Sequence, residues 1–202
     1  TSRGRILLLV LVLANVLILA ESASPTEADL DGVYVPAKAA IAARMGAEMV
    51  NKYVTPRGAR DFEPTPQCIE KPESCTEAFR KPYSLVTFHF RIPQIPFVDT
   101  DISCVVDRDE KVWELTGVPD CANHPQECKF PIGEAEARSI ATKAGLEPGL
   151  EPWRVKFGWN QTYETYIWGV SNTLHKQQDG RGVWIDANDG RVLETTGWML
   201  AW

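Results

Sequence analysis

Two stretches of this chain nearly repeat each other, and that repeat limits the possible folds more than any other feature. V-V-D-R-D-E-K-V-W-E-L-T-G runs from Val105 to Gly117, and W-I-D-A-N-D-G-R-V-L-E-T-T-G runs from Trp184 to Gly197. They lie about 80 residues apart and differ in length by one turn residue, the pattern expected of a duplicated supersecondary unit. Each reads as a hairpin. Ile102 to Asp107 and Val112 to Thr116 flank the charged turn Arg108-Asp109-Glu110-Lys111, and Val183, Ile185, Val192 and Leu193 flank Ala187-Asn188-Asp189-Gly190.

The segments before the two hairpins also follow one order, helix and then strands. Pro36, well suited to a first helical position, opens a predicted helix to Tyr53, with Ile41, Met45, Met49 and Tyr53 on one stripe. A Pro-rich stretch follows, and then Val86, Phe88, Phe90 and Ile92 alternate with Thr87, His89 and Arg91, which predicts a strand with one buried face. In the second half, Glu134 to Ala144 predicts a helix with Ala137, Ile140, Ala141 and Ala144 on one face, stopped by Gly145. Trp153, Val155 and Phe157 alternate, Trp159-Asn160-Gln161-Thr162 reads as a turn, and Tyr163 to Ser171 returns as a strand.

Ahead of these units, Ile6 to Ala20 reads ILLLVLVLANVLILA, apolar from Ile6 through Leu13 and on to Ala20 except at Asn15, and preceded by Arg3 and Arg5. At 1.5 Å per residue the run spans about 22 Å, short of the roughly 30 Å hydrocarbon core, so its length fits a signal-peptide core as well as a span. Glu21 spoils the small-x-small site that would end at Ala23. The expectation is therefore a retained single-pass anchor over residues 1–20, N-terminus cytoplasmic, with the body periplasmic or extracellular. Residues 21–32, rich in acids and small residues, read as an extended linker. The expected fold class is α+β: a transmembrane helix, then a first helix-plus-antiparallel-sheet unit over residues 33–120 with a Cys-containing insertion, and a second over residues 129–202.

Outside the cytoplasm thiols usually pair. Cys68 with Cys75 and Cys121 with Cys128 share one spacing, and each pair lies in a Pro/Glu/Gln-rich loop, so local disulfides are expected with Cys104 left as a buried thiol. A bridge from Cys104 to Cys121 or Cys128 is the alternative. No C-x-x-C occurs, and His124 has no second ligand at a zinc spacing.

Residues 132–146, IGEAEARSIATKAGL, and residues 183–197, VWIDANDGRVLETTG, resemble the opening helix and closing hairpin of PepSY-type domains. The resemblance covers about 65 residues, and its motif is structural rather than catalytic. It implies a helix packed on an antiparallel sheet, an extracytoplasmic setting, and a binding or inhibitory role without chemistry of its own. The first half departs from the pattern by its Pro/Cys insertion and by a turn without Gly.

No catalytic constellation is legible. His89, His124 and His175 are the only histidines, and none adjoins a recognisable nucleophile motif. Around Asp186, the Gly and the acid come at the wrong offsets for a calcium loop. No cofactor or metal is expected. A net charge of -6 without a Lys/Arg run leaves no basic face for a phosphate backbone, so nucleic acid is not an expected partner. Asn160-Gln161-Thr162 matches a glycosylation sequon.

The unusual composition is aromatic. Trp153, Trp159, Trp168, Trp184, Trp198 and Trp202 crowd the last part of the chain, which closes on Trp198-Met199-Leu200-Ala201-Trp202. With Val183 and Ile185 pointing inward, Trp184 must point outward. Trp184, Trp198, Met199, Leu200 and Trp202 are the expected docking residues, for a partner protein or for the lipid headgroup level. Together these readings point to a non-enzymatic accessory subunit, held to an integral membrane complex by its N-terminal helix in the bilayer and by its aromatic second half. Electron-transfer or photosynthetic assemblies are examples. A protease inhibitor or chaperone-like regulator is the alternative.

Overall fold

The structure, a computed structural model, describes residues 27–175 and 179–199. Helix α1 (Glu27–Met45) is followed by α2 (Ala47–Tyr53) and by a four-stranded antiparallel sheet in chain order: β1 (Val54–Phe62), β2 (Tyr83–Arg91), β3 (Asp99–Asp107) and β4 (Val112–Thr116). A short helix α3 (Pro66–Glu70) and two 3-10 turns lie in the β1–β2 connection. The second half repeats the order with α4 (Glu134–Lys143) and the strands β5 (Arg154–Asn160), β6 (Thr165–Ser171), β7 (Asp179–Asp186) and β8 (Val192–Met199), again a four-stranded antiparallel meander.

The expected fold class needs correction at its first element. Among the described residues no helix is long and apolar enough to cross a membrane. The longest, α1, carries Glu27, Asp29, Asp31, Lys38 and Arg44 in its 19 residues, and each would be costly in hydrocarbon. The anchor segment, with Ile6, Leu13, Asn15 and Ala20, lies outside the described residues. The fold is α+β with two four-stranded antiparallel sheets.

The first helix also departs from its expected bounds. It begins at Glu27, inside the stretch read as a tether, because Glu27, Asp29 and Asp31 fall in its first turns, where acids complement the helix dipole. Pro36 sits in its interior rather than at its start and forgoes the bond its N–H would make to the Gly32 carbonyl. Past it, Ala37, Ile41 and Met45, four apart, are buried. Burying Ile41 alone is worth about 2 kcal/mol. The stripe does not continue unbroken to Tyr53. Gly46 takes φ 87°, ends α1, and rotates α2 so that Val50 is buried while Met49 and Tyr53 are half-buried.

Both final hairpins are built alike. In the first, Val105 pairs with Glu114 and Val106 with Val112, leaving Trp113 as the extra residue of a bulge. In the second, Trp184 pairs with Glu194 and Ile185 with Val192, leaving Leu193 in the same place. An Asp closes each turn. Asp107 Oδ1 accepts the Asp109 N–H at 2.9 Å, and Asp186 Oδ1 accepts the Asn188 N–H at 2.8 Å. Glu110 (φ 61°) occupies the left-handed position that Gly190 (φ 76°) fills in the second turn. The repeat in the sequence thus corresponds to a repeat in register, bulge and turn.

The helices pack on one face of each sheet, and the two inner faces meet. Val86, Phe88, Phe90, Ile102, Cys104 and Val106 of the first sheet belong to one continuous core with Tyr166, Trp168, Val170, Val183 and Ile185 of the second. Aromatic rings join the halves: Phe97 lies 5.0 Å from Trp168 and Phe90 lies 6.4 Å from Tyr166, centroid to centroid. The Tyr166 hydroxyl donates to the Gly117 carbonyl at 2.7 Å, which satisfies a buried polar group across the seam.

Candidate docking surface

The outward face of the second sheet is built around Trp184. Val183 and Ile185 are fully buried beneath it, so the alternation of β7 turns the indole outward, where it is half-buried. Across the strands, Lys156, Gly169, Trp184 and Glu194 form one row. The ring lies beside Gly169, where an added Cβ would stand 4.0 Å from Trp184 Cδ1, an ordinary contact. Tyr163, in the β5–β6 turn, lies edge-on to Trp184 at 6.3 Å and donates its hydroxyl to Glu194 Oε2 at 3.0 Å. That bond to a carboxylate pushes the Tyr163 pKa up. The result is a pair of half-buried rings, Trp184 and Tyr163, with Tyr163 held by Glu194.

Of the other expected docking residues, Trp198 and Met199 belong to β8, opposite Gly180 and Asp179. Leu200 and Trp202 lie outside the described residues. The remaining tryptophans have structural work. Trp168 is buried and donates Nε1 to the Ile132 carbonyl at 2.7 Å, Trp153 donates to the Glu147 carbonyl at 3.2 Å, and Trp159 packs against Tyr166 at 5.3 Å.

The outward face of the first sheet is different. Residues 63–82 connect β1 to β2 and fold over one end of that face: Phe79 packs on Tyr83 at 5.0 Å, and Tyr83 stacks on Phe62 at 5.2 Å. Cys68 and Cys75 are bridged within this connection, with Cα atoms 5.6 Å apart, and Thr65 caps α3 by accepting the Cys68 N–H. A cleft of about 240 Å³ remains between Phe62, Phe79, Tyr83, Leu85 and Val105. No sequence signal marks it, because β1 (V-T-P-R-G-A-R-D-F) has neither alternation nor an apolar run. At the other end, His89 lies 3.2 Å from Asp99 and 3.5 Å from Asp101, with Arg91 beside Asp99 and Arg57 paired to Asp101. The Arg57 guanidinium holds the Asp101 carboxyl below the usual carboxylate range. These exposed pairs alternate in sign and make a solvated face.

The second bridge joins Cys121 to Cys128, Cα atoms 5.7 Å apart, and its loop is tied to α1 by the Ala122 N–H on the Arg44 carbonyl at 2.9 Å. Cys104 is an unbridged, buried thiol whose pKa burial pushes up to about 12. Among the described residues no group of three or more His, Cys, Asp and Glu is placed to hold a metal ion. His124 lies 3.5 Å from both Asp120 and Glu127, and His175 lies 2.8 Å from Asp179, each in a local surface pair. Comparisons with protein families, with curated proteins and with solved structures found no match to this chain.

Proposed function

We propose that this chain is a non-enzymatic accessory subunit that works outside the cytoplasm and attaches to a larger membrane-associated protein complex through the outward face of its second sheet. One asymmetry between the halves carries the reading. Residues 63–82, which fold over one end of the first sheet's outward face, correspond in the second half to the short turn of residues 161–164. In one half the chain's own loop therefore packs on the aromatic end of this face, at Tyr83, while in the other half Trp184 is left half-buried with no such loop. Aromatic rings with a polar rim, here Lys156, Glu194 and the Tyr163 hydroxyl, are the usual composition of an interface centre. The two disulfides and the apolar segment of residues 6–20 support the compartment.

The test is the size of the native assembly. Membranes dissolved in mild detergent and separated on a density gradient will place the chain in a particle much larger than its own 22.5 kDa. Trp184→Ala will release it while leaving its folded circular dichroism spectrum intact. Migration of the wild-type chain as a free monomer contradicts the proposal.

A further inference from the structure

We infer that Asn160 is an N-glycosylation site and that its glycan borders the Trp184 face at the β5–β6 turn; the inference rests on the extracytoplasmic reading above. The sequence Asn160-Gln161-Thr162 is the sequon, and it runs from a half-buried Asn160 into an exposed turn. Asn160 ends β5, opposite Thr165, with Gln161 and Thr162 exposed in the turn that follows. Its side-chain Oδ1 accepts the Thr162 N–H at 2.9 Å and the Tyr163 N–H at 3.2 Å, a closed Asx turn. With the carbonyl oxygen so engaged, Nδ2 is the free end of the amide, and it donates no hydrogen bond among the described residues. The nearby Trp159 Nε1 is taken by Gln161 Oε1 at 3.0 Å, so the turn is held without using Nδ2.

The chemistry is a glycosyl transfer from a lipid-linked oligosaccharide diphosphate. Asn160 Nδ2 forms a bond to the anomeric carbon of the first sugar, the bond from that carbon to the phosphate oxygen breaks, the lipid diphosphate leaves, and one amide proton passes to the transferase. Asn160 lies on the same outward side of β5 as Lys156 and Gly158, because Val155, Phe157 and Trp159 pack toward the core. It is four residues along the strand from Lys156, about 13 Å from the row that contains Trp184. A glycan there closes the turn end of the face to a partner and leaves the approach over Trp184 and β8.

The experiment is expression of the full chain in a eukaryotic secretory host, with digestion by peptide-N-glycosidase in heavy-oxygen water and mass spectrometry of the Asn160 and cysteine peptides. The expected result is conversion of Asn160 to a heavy-oxygen-labelled Asp, with loss of a gel-mobility shift on digestion. Thr162→Ser will keep the shift, and Thr162→Ala will abolish it. An unmodified Asn160 in molecules whose Cys68 and Cys75 are bridged overturns the glycan alone, as does a shift that survives in Thr162→Ala. Unmodified Asn160 with all cysteines reduced overturns the extracytoplasmic reading and the inference with it.

Discussion

Asp107 shows how one residue can hold a turn, a bulge and a ring together. Its Oδ1 accepts the backbone N–H groups of Asp109 and Lys111 at 2.9 Å each, and its Oδ2 accepts Trp113 Nε1 at 2.7 Å. Burial pushes its carboxyl up, but the three hydrogen bonds, Trp113 first, outweigh that, and the pKa ends below the ordinary 3.8. A depressed folded pKa means stability that is fully present above 3.8 and lost as pH falls from there through the folded value. Urea melts across that acid range will therefore show a fall in stability that Asp107→Asn removes. At neutral pH, Asp107→Ala will cost about 2 kcal/mol, because it leaves the indole N–H of half-buried Trp113 and two turn N–H groups without their charged acceptor.

Among the elements, the β1–β2 connection has the least core of its own. Its buried residues are Cys68 and Ala78, while Ile69 is exposed. The Cys68–Cys75 bridge does the work that packing cannot. Cys68→Ser with Cys75→Ser will cost about 2 to 3 kcal/mol, read by thermal melts, and will expose the Phe79–Tyr83 contact to proteolysis near Arg80. Element by element, the sequence was legible where burial imposed a period. In β2 Val86, Phe88 and Phe90 alternate with half-buried Thr87 and His89, and the strand stands where expected. In β1, Pro56 and Gly58 flank a bulge on an edge strand, so neither propensity nor alternation marks a strand there. Trp159 and Asn160 read as turn residues, yet they extend β5, since the Asx turn starts only at Asn160. Gly46 looked like any small residue in an Ala-rich helix. Its positive φ, open to glycine because it has no Cβ, breaks that helix in two. Of the docking residues, Trp184 was legible because its neighbours Val183 and Ile185 fixed its direction, whereas the Phe62–Phe79–Tyr83 cleft depends on contacts between distant segments.

For the whole molecule, the two units behave as halves of one core. Phe90 and Phe97 pack against Tyr166, Trp168 and Phe157, and the Tyr166–Gly117 hydrogen bond lies within that seam. Neither half alone can cover these rings. Calorimetry will therefore give a single cooperative unfolding transition for the chain, with equal calorimetric and van't Hoff enthalpies, and two separated transitions would contradict a shared core. A shared core also fixes the outward faces of both sheets as the surfaces left for other molecules. One of those faces is folded over by residues 63–82 at its aromatic end and charged at the other, and the second presents Trp184. Photo-crosslinking in native membranes compares them directly, with p-benzoylphenylalanine placed at position 184 or, on the first sheet's outward face, at position 87. The account predicts a crosslink to one larger partner from position 184 and none from position 87. A partner captured from position 87 alone would contradict it.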